Sequence, residues 1–151
     1  MKRLIVLLLT AIMLFTAIGT ASAASNTETR VFYEAQSLGD GFAVTSEIVV
    51  HETLGRASTK TATNTKTFTH NGNVIAVIAI TGTFSYNGTS SSVISKSISR
   101  LDTYSGWKFT QTFFSSEGGA IALVGELDHL LYKAKEVSFR LICDNFGNIS
   151  Q

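Results

Sequence analysis

The chain has 151 residues, 44% of them hydrophobic, with 12 Lys+Arg against 11 Asp+Glu and one cysteine. Without Lys2 and Arg3, ten basic residues face eleven acidic ones. That leaves no surplus to displace counterions from nucleic acid or to dock electrostatically on an anionic membrane. A lone Cys143 excludes an intramolecular disulfide, so the fold must rest on core burial, which one domain of this length supplies.

The chain opens as a signal peptide. Lys2 and Arg3 precede an apolar run, Leu4 to Ile18, interrupted only by Thr10 and Thr16. Ala21-Ser22-Ala23 then gives the small-x-small pattern that signal peptidase cleaves. The run is too short, and too soon followed by that pattern, for a membrane span. The expectation is an N-terminal signal helix over 1–23, cleavage between Ala23 and Ala24, and a secreted domain over 24–151 with no membrane span in the mature chain.

Period-2 patterning and turn residues dominate the mature region. Val31 to Ala35 is a first short strand, closed by Gly39-Asp40-Gly41, and Phe42 to His51 a second. From Thr59 to Thr69 every second residue is threonine, a β-branched side chain that suits a half-solvated strand. Asn71-Gly72 is a two-residue hairpin signal. Val74 to Tyr86 reads as the central strand, with Val74, Ala76, Ile78, Ile80 and Phe84 on one face and Ile75, Val77 and Ala79 on the other. It is apolar on both faces and hence covered on both along its first half. After Asn87-Gly88, Ser90 to Asp102 sets Ile94 and Ile98 against Ser95, Ser97 and Ser99. Trp107, Phe109 and Phe113 share a face of the next strand. Ile121 to Ala134 also fits a helix, through Leu123, Leu127, Leu130 and Leu131, but the flanking turns favour strand. Val137, Phe139, Leu141 and Cys143 alternate with polar residues. The sum is an all-β fold, a single antiparallel sandwich of immunoglobulin-like or jelly-roll-like type with about seven or eight strands.

Thr59-Lys60-Thr61-Ala62-Thr63, Thr81 to Gly88, Ser90-Ser91-Ser92 and Trp107 together resemble small secreted Thr/Ser-rich β-domain proteins of Gram-positive bacteria. The resemblance implies a β fold and an extracellular location. It carries no activity, cofactor or catalytic residue.

Candidate chemistry is sparse. Asp128 and His129 are neighbours, but adjacent strand residues point to opposite faces, and no Gly-x-Ser-x-Gly elbow is present. Cys143 lies in phase with core residues, as a small buried hydrophobe does. His51, His70 and His129 are too scattered for a zinc motif, and the aspartates too isolated for a calcium loop. Glu117 with Glu126, or Glu47 with Glu52, would serve glycoside hydrolysis only at the right separation. Asn87-Gly88-Thr89 and Asn148-Ile149-Ser150 match a glycosylation pattern that matters only in a eukaryotic host. The threonine ladder matches an ice-binding array only if several flat strands carry it, and sheet twist argues for an ordinary solvated face instead.

Tyr86, Tyr104 and Trp107 stand at or beside turns, where rings stack on sugars in sandwich modules, an analogy of fold class alone. The phase of Trp107 points to the core. The expectation is therefore a non-catalytic extracellular or cell-envelope interaction module of unknown ligand, with no cofactor and no metal. The alternative is a secreted hydrolase whose site is assembled from separated strands.

Overall fold

The computed structural model describes residues 27–53 and 58–151. The signal segment 1–23 and the Ala23–Ala24 junction lie outside the described residues. Among the described residues nine strands follow one another: β1 (Thr27–Gly39), β2 (Phe42–Thr53), β3 (Thr59–His70), β4 (Asn73–Tyr86), β5 (Ser91–Thr103), β6 (Lys108–Glu117), β7 (Ala120–His129), β8 (Tyr132–Cys143) and β9 (Ile149–Ser150). They form two antiparallel sheets, β1-β2-β3-β4-β5 and β6-β7-β8-β9. The segment 104–107 carries the chain from one sheet to the other, and β5 packs over β6 and β7 while β3 and β4 pack over β8.

The sandwich and its all-β character match the expectation, but the connectivity does not. Within each sheet every strand pairs with its chain neighbour, giving two successive meanders without the Greek-key crossovers of immunoglobulin and jelly-roll sandwiches. The helical option over Ile121–Ala134 falls as well. Ile121, Leu123 and Leu127 are buried on one face of β7, at the spacing of two that a strand requires. Among the described residues no helix is long and apolar enough to cross a membrane.

The core lies between the sheets. Val44, Ile48, Val50, Ala62, Phe68, Ile78, Ile80 and Phe84 come from the first, and Ile121, Leu123, Leu127, Val137, Phe139, Leu141 and Cys143 from the second. Cys143 is unpaired and buried, and burial pushes its thiol pKa up. The sheets approach closely at Gly82, where an added Cβ would stand 2.2 Å from the Ile121 methyl. That glycine makes room for the packed Phe84 ring.

Two apolar residues leave the faces their simple alternation assigned, both because of β-bulges. A register shift between Gln111 and Phe113 turns Phe113 outward to 48% exposure, and Phe114 packs on the core instead. Another shift, at Thr83/Phe84, leaves Ile94 without a Cα partner on β4 and 58% exposed while Val93 and Ile98 face inward. One extra residue inverts the side-chain phase beyond it.

Candidate functional site

The three rings singled out as a ligand platform do not share a surface. Tyr86 ends β4, whereas the Tyr104 amide bonds the Ile75 carbonyl near that strand's start. Eleven residues of strand separate the two points, roughly 35 Å. Tyr104 is 42% exposed and Trp107 only 4%. The indole is enclosed by rings: it meets Phe42 edge-on at 5.5 Å, stacks on Tyr132 at 5.7 Å and lies 5.0 Å from His129.

Tyr86 is held by its own neighbours. Its hydroxyl donates to Glu52 at 2.8 Å, Lys60 pairs with Glu52 at 3.2 Å and lies over the Tyr86 ring, and Gly147 leaves space that a Cβ would fill at 2.5 Å from that ring. Burial, helped by the bond to Glu52, pushes the phenol pKa up to about 12. A raised pKa adds stability below the unfolded value near 10, and that contribution is lost as pH rises toward about 12. Chemical-denaturation midpoints of the wild type should therefore fall more steeply across this window than those of Tyr86→Phe. Identical pH dependence would show that the phenol is unlinked to folding.

The histidines and acids do not assemble a catalytic set. Asp128 accepts from the Thr110 hydroxyl at 3.3 Å. His129 accepts the Leu131 amide proton at Nδ1, 3.1 Å, and its Nε2 faces the Ser105 carbonyl at 3.2 Å. An amide only donates and a carbonyl only accepts, so the two contacts together suit the tautomer that carries its proton on Nε2. His70 stacks on Phe42 at 4.3 Å, and His51 meets Thr29 at 3.1 Å. Glu47 and Glu52 differ in strand parity and point to opposite faces. Glu117 lies beside Ala120 and Glu126 beside Thr110, about 20 Å apart along the ladder, beyond the carboxylate spacing of glycosidases. Among the described residues no group of three or more His, Cys, Asp or Glu could hold a metal ion. The Asp144 carboxylate is committed to its own turn, where it accepts from Asn148 and Phe146, and these bonds lower its pKa.

The outer face of the first sheet is the larger feature. The β3–β4 hairpin starts in register at His70↔Asn73, with Asn71 and Gly72 both at positive φ as a two-residue hairpin requires. A bulge at Ile75 then shifts β4 by one residue, so that Thr61 faces Thr83 and Thr63 faces Thr81. Without that residue Thr61 would face Gly82. The pairs bond at 3.1 and 2.9 Å, and the Thr81 hydroxyl donates onward to Ser99 at 2.8 Å, which donates to the Ala79 carbonyl at 3.4 Å. With the Thr81 proton committed to Ser99, Thr63 must donate to Thr81. The row Thr63–Thr81–Ser99 therefore runs in one direction, its three protons are spent within the face, and lone pairs are left for an outside donor.

At the β1 edge of this face stands Tyr33, 77% exposed, its hydroxyl donating to Glu47 at 2.9 Å. That bond raises the phenol pKa and fixes the ring. Glu47 pairs with Thr65, and Thr65 with Ala79, so the ring lies two strand spacings, roughly 10 Å, from the threonine columns. Sequence reading did not single out Tyr33. Its period-2 placement with Val31 and Ala35 is the available signal, and only the five-stranded pairing puts it on the threonine face. Comparison with protein-family models, curated proteins and solved structures returned no match.

Proposed function

We propose that this chain is a secreted, non-catalytic interaction module of the cell exterior that holds a hydroxyl-rich envelope polymer on the outer face of its first sheet. The directed row Thr63–Thr81–Ser99 carries this reading, because it offers acceptors where a polysaccharide offers hydroxyl donors. Tyr33 supplies the ring for the apolar face of a sugar, a pairing favoured where one side of a group is apolar and the other wet. The leader at 1–23 supports placement outside the cell.

Pelleting with insoluble wall polysaccharide tests the reading. Thr63→Val with Thr81→Val keeps shape and β-propensity while removing both hydroxyls, and Tyr33→Ala removes the ring. Each variant should bind about tenfold more weakly, the worth of one or two hydrogen bonds for the threonine pair and of one stacked ring for Tyr33. Unchanged retention of both variants, or no retention of the wild type, would overturn the assignment.

A further inference from the structure

Leu130 and Leu131 form the two-residue turn between β7 and β8, and they are 101% and 82% exposed. The tight turns at 39–41, 71–72 and 118–119 are built from glycine with asparagine or aspartate, or from glycine alone. Here, among the described residues, neither leucine has positive φ, and the turn is held by other means. His129 receives the Leu131 amide at 3.1 Å and reaches the Ser105 carbonyl at 3.2 Å. Beneath it Trp107, Tyr132 and His129 pack ring on ring. Two large aliphatic side chains thus stand in solvent, where burial would favour turning them away.

Behind the leucines come Tyr132 and Tyr104, 45% and 42% exposed. Flanking them are Lys108 and Lys133, exposed and without an ion pair among the described residues. Of the nearby acids, Asp40 pairs with Lys135 at 3.6 Å, while Asp128 stands cross-strand from Lys108 and accepts from Thr110, so Lys133 is the cation with no acid opposite it. Apolar tip, hydroxyl-bearing rings, then cations is the order of chemistry met on entering a bilayer: hydrocarbon last, headgroup before it, phosphate at the rim.

We infer that the Leu130–Leu131 tip is a contact for an anionic phospholipid surface, with insertion of the two leucines as its driving step. Lys108 and Lys133 assist at lipid phosphates. The near-neutral whole chain is compatible with this, since the charge required is local.

Co-sedimentation of the exported protein with vesicles of equal parts phosphatidylglycerol and phosphatidylcholine tests it. Leu130→Ser with Leu131→Ser alters only exposed side chains, so its melting temperature should match the wild type. Its partition should fall about tenfold or more. Lys108→Gln with Lys133→Gln should lose less, with the deficit largest at low salt. Equal partition of the wild type and the serine variant, or no partition of either, would overturn the inference. So would a wild-type oligomer that the serine substitutions dissolve, since the tip would then belong to a contact between copies.

Discussion

Trp107→Ala is expected to lower the unfolding free energy by about 3–5 kcal/mol, the range for removing a buried large aromatic. The indole is 4% exposed and is touched by rings from β2, β7 and β8 as well as by His70. Its loss opens a cavity at the point where the chain crosses between sheets, and neighbours on four different strands cannot all collapse into it. The same enclosure predicts blue-shifted fluorescence that iodide quenches poorly. A variant of near wild-type stability, with a freely quenched wild-type indole, would contradict this packing. It would also return Trp107 and Tyr104 to consideration as a ligand surface.

The second large effect is at Asn64, which is wholly buried in the middle of β3. Its carbonyl accepts from the Ser46 hydroxyl at 3.0 Å, and its amide donates to Gln151 at 3.2 Å and to the Arg140 carbonyl at 3.4 Å. Ser46 also reaches Gln151 at 3.0 Å, and Gln151 extends to Glu34 at 2.5 Å. Asn64→Leu fills the space yet takes one of two partners from the buried Ser46 hydroxyl, which keeps Gln151, and a buried polar group left without a partner costs roughly 1–3 kcal/mol. A net loss of about 1–3 kcal/mol is expected. Adding Ser46→Ala should then cost less than the same change does in the wild type, because its bond to Asn64 is already gone and the one to Gln151 remains to lose. Urea denaturation of the two variants decides this. If the double variant is less stable than Asn64→Leu alone by the full cost of a serine deletion, the two groups are not coupled.

The same network bears on the long edge of β8, which β9 pairs only at Ile142 and Cys143. Lys66 donates to the Ser138 carbonyl at 2.7 Å, and Asn64 approaches that of Arg140. Side chains from the facing sheet thus occupy edge carbonyls that would otherwise template another strand. Burial lowers the Lys66 pKa, and Glu34 opposes that shift.

What was legible in the sequence was what local chemistry dictates. Asn71-Gly72 marks its hairpin because both residues tolerate positive φ, and the alternation of Val137, Phe139, Leu141 and Cys143 names an inward face. Bulges were hidden, since they arise from pairing between strands rather than from any single strand's pattern. Phe113 and Ile94 were misplaced for that reason. The bulge at Ile75 likewise decides that threonine meets threonine across β3 and β4, so the threonine ladder could be read as a solvated face but not as a directed row. The platform of Tyr86, Tyr104 and Trp107 was assembled from nearness to turns, and turns at opposite ends of a strand cannot be told apart without the sheet order. Leu130-Leu131 was visible as an apolar pair where other turns carry glycine, but it was absorbed into a helical alternative.

The most direct test of the outer-face reading is amide chemical-shift mapping of the isotope-labelled protein during titration with soluble envelope polysaccharide. The account predicts shifts concentrated at Tyr33, Glu47, Thr61, Thr63, Thr81, Thr83 and Ser99, saturating together with one affinity. Saturable shifts confined to other surfaces, with these residues unmoved, would contradict it.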